Sequence, residues 1–434
     1  MKGILPNLLG NKFLARAIKL SSVSIVSNFL GFLIPIYIAY RYSISKETDD
    51  FFLSYSIILF VGNMFAGSVR TVIIPFLKER ISDSFLYSKF ISTVFIYFTK
   101  LLLILCVALF VTSLALFVWT DKQLYWFLFL SVPIVYFSVI NSFFYGVLNS
   151  IDQFYVAEFS PFSRAIIIFV TIYFLGSQFG ISAVIIGYNL GELGKFFHLL
   201  YIIRIKNKLT ISRKNYDFKE ISVFLKQGFF QIASVTIAAS SPLVDRVVAA
   251  FLAVGAVSLI DYGDKVFSVF TVLLGSFLTL LLSKWSGDVV SGNFRLKKLH
   301  KTMLIVFTLS IAVFVFILIF KFQIISVIYS RVPKSKQEII AYILLVNMAG
   351  FILNSLNQVI NNAVIALKFT RNMVITSTVK FVINIIVDIL FAKIWGVIGI
   401  AYASVLVHGV GLVINYLLLK SKMHSASSLK GQAA

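Results

Sequence analysis

A single cysteine, Cys106, occurs in 434 residues, so the chain has no disulfide framework and no Cys-x-x-Cys metal or redox motif. The four histidines, His198, His300, His408 and His424, are scattered without metal-ligand spacing. No G-x-x-x-x-G-K-[ST] loop and no G-x-S-x-G elbow are present, which excludes direct ATP hydrolysis and a serine hydrolase of that kind. Charge is scarce too. Charged residues make up 13% of the chain, about half the share of a soluble domain. Acids are the scarcest, 17 Asp+Glu against 39 Lys+Arg. Nothing in this inventory points to an enzyme.

What is abundant is apolar surface: 59% of residues are hydrophobic and 16% aromatic, with a mean hydropathy of +0.95. That much apolar surface needs lipid as its solvent. The runs 102–118 and 304–320 are continuous rather than alternating, which excludes an outer-membrane barrel. A spanning helix takes about 20 apolar residues. Hydropathy places helices near 18–41, 51–77, 89–119, 123–148, 154–177, 180–204, 221–252, 256–282, 300–330, 338–366, 371–393 and 396–420. The expected fold is therefore all-α and integral to the membrane, with about twelve transmembrane helices. The segment after residue 20 has no small-residue cleavage site and reads as a first span.

The net charge of +22 would suggest nucleic acid in a soluble protein. Here the basic residues concentrate in alternate loops, as cytoplasmic loops do, so no nucleic-acid partner is expected and both termini are placed in the cytoplasm. The basic stretch 205–220 divides the chain into an N-terminal six-helix lobe, 1–204, and a C-terminal six-helix lobe, 221–434. Two such lobes around a midplane cavity are the architecture of many alternating-access transporters.

An ionisable residue at membrane depth is costly and marks a candidate site. Asp245 and Arg246 interrupt span seven; Asp261, Asp264 and Lys265 interrupt span eight across a short turn. This set reads either as an ion-pair network fixing two helices or as a cavity wall in which Arg246 and Lys265 receive an anion such as a diphosphate. Span ten carries Asn347, Asn354, Asn357, Gln358, Asn361 and Asn362. Asn347, Asn354 and Asn361 recur at seven residues on one face, as glue between helices or as a sugar-lining surface. Span eleven aligns Lys380, Asn384 and Asp388. In the first half, Arg70 follows Asn63 and Gly67 in span two, and Asn28 precedes Gly31 and Pro35 in span one. Glu192 and Lys195 read as an intrahelical pair in span six, and Lys100 and Arg164 as snorkelling cations.

Glu47-Thr48-Asp49-Asp50-Phe51-Phe52, then Phe65-Ala66-Gly67 and Pro75-Phe76-Leu77, resembles the first two spans of MurJ/MviN-type lipid II flippases. Val244-Asp245-Arg246, Phe251-Leu252, Gly255-Ala256-Val257-Ser258, Asp261-Tyr262-Gly263-Asp264-Lys265 and Leu282-Ser283 resemble that family's spans seven and eight in order and spacing. The family belongs to the multidrug/oligosaccharidyl-lipid/polysaccharide (MOP) superfamily, which also holds the Wzx polysaccharide flippases. Some family cations are absent here: span one reads Asn28-Phe29-Leu30-Gly31-Phe32, and the arginine pair before Phe-Ala reads Gly62-Asn63. The family usually has fourteen spans against the twelve drawn here.

The resemblance implies a multi-pass protein of a bacterial inner membrane that flips an undecaprenyl-diphosphate-linked sugar or oligosaccharide. Under that implication Arg70, Arg246 and Lys265 receive the diphosphate, Asn354, Asn357 and Asn361 of span ten contact sugar, and Asn28 is a further substrate-binding residue. Asp245, Asp261, Asp264 and Asp388 balance those cations or hold a coupling Na⁺ or H⁺. Other partners expected are membrane lipids and cell-envelope biosynthesis proteins. A cation-coupled multidrug antiporter of the same superfamily, and a membrane enzyme or scaffold in polysaccharide assembly, are the alternatives.

Overall fold

In lipid every backbone N–H and C=O must be paired inside the chain, so long apolar runs become helices. In the computed structural model, which describes residues 11–432 except 152, 207, 208, 210, 212–216, 291–293, 368 and 370, they do. The helices are α1 (Asn11–Tyr42), α2 (Lys46–Arg80), α3 (Ser84–Thr120), α4 (Gln123–Ser150), α5 (Phe154–Phe179), α6 (Ser182–Tyr201), α7 (Phe218–Ala250), α8 (Ala256–Val290), α9 (Leu296–Ile328), α10 (Lys334–Ala366), α11 (Arg371–Trp395) and α12 (Val397–Gln432). A π-helical turn, Ile202–Lys206, extends α6. Among the described residues there is no strand, and eight helices (α2–α5 and α9–α12) are long and apolar enough to span a bilayer.

Each hydropathy span corresponds to one helix, and most helices overrun their spans because polar residues at the ends continue the helical turn past the apolar run. The turn after α1 is only Ser43–Ser45, with Ser43 in the left-handed region (φ 54°). Asp49 and Asp50 therefore lie inside α2. The cap is a reciprocal pair: Ser45 N donates to Thr48 Oγ1 (2.9 Å) and Thr48 N donates to Ser45 Oγ (3.2 Å). Likewise α8 continues to Val290, which shortens the connection expected at 283–299.

The chain divides into two compact units, one of Lys19–Leu243 and the other chiefly of Val244 onward. Half of the stretch 205–220, where the division was expected, lies outside the described residues. In the first unit α4 packs on α2, α3 and α6, and α5 on α6. Its core holds Phe90, Phe144, Leu148 and Phe224, with Phe76 stacked on Phe90 at 5.7 Å. The Lys89–Asp217 ion pair (2.9 Å) and an Asp217 N to Thr93 Oγ1 bond (3.1 Å) tie the residue before α7 to α3.

In the second unit α10 is central, packed against α8, α9 and α12, while α11 packs on α12. Trp285, Leu299, Val359, Ile360 and Leu419 form its core. The α11–α12 turn is tight: Gly396 has φ +61°, and a Cβ on Gly399 would run into the Phe391 carbonyl. Gly399→Ala should therefore destabilise the unit by about 1–3 kcal/mol, the usual cost of overpacking. An unchanged thermal midpoint in detergent would show that the turn can open freely.

Candidate functional site

The second unit holds three polar clusters. The first joins α7, α8 and α10. Arg246 Nη2 donates to Asp261 Oδ1 at 2.8 Å and to Asp264 Oδ2 at 3.2 Å. Asn347 Nδ2 donates to Asp264 Oδ1 at 2.9 Å and so ties α10 to the same carboxylate. Arg246 is 7% exposed and Asp261 4%. Removing an ion pair this deep from water is costly unless charge and hydrogen bonding are both met; here two carboxylates converge on one guanidinium, and Asp261 Oδ2 takes no hydrogen bond. Lys265 differs: its side chain is 31% exposed and its Nζ is 4.0 Å from Asp261 Oδ2. Below the network, Tyr329 OH donates to the Tyr262 carbonyl at 2.9 Å, and both rings are fully buried.

The second cluster joins α7 to α11. Asn384 Nδ2 donates to Asp245 Oδ1 at 3.0 Å and also to Asp388 Oδ2. Asp388 is completely buried, its carboxyl is within hydrogen-bond reach of Asp245, and its Oδ1 has no hydrogen-bond partner. Two carboxyl groups this close repel unless a proton or a cation sits with them. The aligned Asp388 and Lys380 of α11 thus part company: Asp388 turns to α7, while the Lys380 stem lies against Gly411 of α12.

The third cluster is an amide ladder. Asn415 of α12 donates from Nδ2 to Asn357 Oδ1 (2.6 Å) and Asn361 Oδ1 (2.8 Å), and Thr376 Oγ1 donates to Asn415 Oδ1 (2.6 Å). Asn357 and Asn361 thus bind α10 to α12. Asn347, two heptads before Asn361, instead faces α8, because a seven-residue repeat drifts around a helix by about 20° per heptad. Asn354 is half-buried and takes part in none of these bonds.

The structure therefore gathers Asp245, Arg246, Asp261, Asp264, Lys265 and Asp388 near the α7–α8 turn and its α10 and α11 neighbours, and sets Asn357 and Asn361 apart on the α12 side. Asn28 is exposed on α1 in the first unit. Arg70 lies in α2, but its side chain is outside the described residues.

One pair of sequence readings in the first unit changes. Arg164 does not snorkel, and Glu192, besides lying in the field of Lys195, pairs across helices. Arg164 Nε is 2.8 Å from Glu192 Oε1 across α5 and α6, and Asn141 Nδ2 of α4 donates to Glu192 Oε2 at 2.8 Å. Both residues lie near the middles of their helices, too far from either end for a snorkelling side chain to reach. Asn141, Asn415 and Thr376 are further polar residues of these clusters; for the two asparagines the available signal is an amide in an otherwise apolar span.

Compared with known proteins, the chain matches the family model "Lipid II flippase MurJ" over residues 38–432. It is 25% identical over 422 residues to the lipid II flippase MurJ of Thermosipho africanus (strain TCF52B), covering 94% of this chain and 85% of that protein. It is 27% identical over 299 residues to a protein of Buchnera aphidicola subsp. Baizongia pistaciae (strain Bp) named "Probable lipid II flippase MurJ", covering 63% of this chain and 57% of that protein's length. Among solved structures it resembles lipid II flippase MurJ in an inward closed conformation, with TM-score 0.80, 23% identity, and 93% and 87% of the two chains covered. It also resembles an inward-facing multidrug resistance MATE family transporter of the MOP superfamily, with TM-score 0.79, 14% identity, and 96% and 100% covered. At these identities the structural likenesses establish the fold alone, an all-helical architecture.

Proposed function

Because this chain belongs to the lipid II flippase MurJ family, we propose that it moves a lipid-diphosphate-linked sugar across a bacterial inner membrane by alternating access. The observation that carries the reading is the family match across nearly the whole chain. The family is one of flippases, not of enzymes, and the substrate is a lipid-linked sugar: lipid II or a related undecaprenyl-diphosphate unit. Membrane lipids surround the protein, and other cell-envelope biosynthesis proteins are its proposed further partners.

The site supports a division of labour. Arg246 is already shared by two carboxylates, so its part is to hold α7 and α8 together and to set the field around Lys265. Lys265 is the cation of this cluster with accessible surface, and its ammonium suits a diphosphate oxygen. In the α7, α8 and α11 clusters the carboxylates Asp245, Asp261, Asp264 and Asp388 outnumber the cations Arg246 and Lys265, because the Lys380 stem lies against α12. That leaves two acids in excess. Asp245, Asn384 and Asp388 then form the place for a coupling Na⁺ or H⁺, with the unpartnered Asp388 Oδ1 as an open ligand. The half-buried Asn354 contacts sugar, while Asn357 and Asn361 act through Asn415.

The test is a leaflet-accessibility assay on full-length protein in proteoliposomes, with lipid II and with one diphosphate-linked oligosaccharide. Lys265→Gln should slow flipping about tenfold, the size of one lost charge-assisted hydrogen bond. Its thermal midpoint should not change, because the side chain is not deeply buried. If neither lipid moves with wild-type protein under an imposed ion gradient, the flippase reading falls. Export of an organic cation in the same vesicles would then favour the antiporter reading, which the acidic Asp245–Asp388 pair would also serve.

A further inference from the structure

The Arg164–Glu192 pair has a built and lopsided environment. Three glycines of α6, Gly187, Gly191 and Gly194, face α5 and let the two backbones approach closely. A Cβ on Gly191 would stand 2.8 Å from Ile168 Cγ1 and 3.1 Å from Arg164 Cγ. The arginine stem therefore lies flat on the α6 backbone, and this places its head beside Glu192. The acid is consumed: Oε1 meets Arg164 Nε, Oε2 accepts from Asn141 at 2.8 Å, and the Glu192 backbone carbonyl accepts from the same amide at 3.0 Å.

The guanidinium is not consumed. Its Nη2 donates to Tyr55 OH of α2 at 3.3 Å, and its Cζ lies 5.2 Å from the centroid of the Tyr188 ring. Those two tyrosine rings are 4.6 Å apart. Nη1 takes none of these bonds. The arginine side chain keeps 25% of its surface accessible against 6% for the glutamate. An ion pair serving only to lock two helices would hide both side chains; this one hides the acid, while the arginine side chain keeps part of its surface accessible beside Tyr55 and Tyr188. Lys195, one turn along α6, adds a second positive charge to the field acting on Glu192. The local surplus is positive, and a planar fork of N–H donors matches the oxygens of a phosphate better than a single point charge does.

We infer that Arg164, flanked by Tyr55 and Tyr188, is a diphosphate-binding residue of the first unit, additional to the α7–α8 cluster. It rests on the lipid-diphosphate reading above and takes the same chemical class of ligand. Glu192 positions the guanidinium and competes with the ligand for it.

The test uses full-length protein in nanodiscs, with binding of a fluorescent C20 prenyl diphosphate compared with that of the matching prenyl alcohol. Arg164→Gln should weaken diphosphate binding about tenfold, as expected for one charge-assisted contact, and leave alcohol binding unchanged. Glu192→Gln should bind the diphosphate at least as tightly as wild type, because it frees the guanidinium while Asn141 still holds the amide. If Glu192→Gln loses binding as Arg164→Gln does, the pair is only a helix clamp and the inference is overturned. Should Arg164→Gln not fold, the Glu192→Gln result decides alone. Equal competition by phosphatidylglycerol overturns the inference in favour of a headgroup contact. A wild-type protein that prefers the alcohol overturns the lipid-diphosphate reading with it. Loss of binding in Lys265→Gln but not in Arg164→Gln removes this inference and leaves that reading standing.

Discussion

Arg246→Gln is expected to cost the protein its fold before it costs it a substrate. The substitution leaves the carboxylate of Asp261, which is 4% exposed, without its guanidinium partner at 2.8 Å. Breaking a buried pair from one side costs about 3–5 kcal/mol, because the surviving charge stays in low dielectric uncompensated. Asp264 contributes less, since its side chain is 31% exposed and it keeps the Asn347 bond. Intrinsic fluorescence during thermal unfolding in detergent should show a lowered midpoint, and membrane levels should drop with it. Neutralising the whole network with Arg246→Met, Asp261→Asn and Asp264→Asn together should recover most of the loss, since a neutral buried cluster has no charge to desolvate. The opposite result, a wild-type midpoint with transport abolished, would make Arg246 a ligand of the substrate rather than a brace for α7 and α8.

Asp388→Asn is expected to uncouple transport from its driving ion while leaving the fold intact. The amide is nearly isosteric, and Asn384 still donates to Asp245 at 3.0 Å, so α7 and α11 stay joined. What disappears is one of two neighbouring carboxyls, and with it the negative charge that holds a cation between them. Flipping driven by an imposed Na⁺ or H⁺ gradient should fall by about 10–100-fold, the range for loss of an ion-site ligand or its close support. Protons and metal cations compete for the same carboxyls, so apparent Na⁺ affinity in wild type should weaken as pH is lowered and this dependence should vanish in the variant. Gradient-driven flipping that is unaltered in Asp388→Asn would place the coupling site elsewhere. Asn384→Ala offers a second check, because it removes the amide that spans both acids and should lower ion affinity without removing a charge.

These two variants also show how far the amino-acid order reaches. That Asp245, Arg246, Asp261, Asp264 and Lys265 form one neighbourhood is legible from their positions on either side of a short turn, because consecutive antiparallel helices must meet there. Which acid serves which cation is not legible. Adjacent residues on a helix point about 100° apart, so Arg246 turns to α8 while Asp245 turns to α11, a helix more than a hundred residues later. The asparagines of α10 show the same limit. Their spacing reveals a polar face, but Asn347 binds a carboxylate of α8 while Asn357 and Asn361 bind Asn415 of α12.

Arg164 is the strongest case. An isolated arginine in an apolar run has the same local sequence whether it snorkels or pairs. The Gly187, Gly191 and Gly194 face that draws α5 onto α6 lies in another helix, and its effect on the arginine exists only once the two helices pack. By itself, the sequence determined the lipid solvent, the twelve helices and the candidate charged positions, because hydropathy and helical period are local properties and lipid leaves the backbone no alternative. The tertiary structure alone decided the partner of each buried charge. A buried polar group is satisfied by whichever donor or acceptor the packing brings within about 3 Å, and that distance is set by contacts between helices distant in the chain.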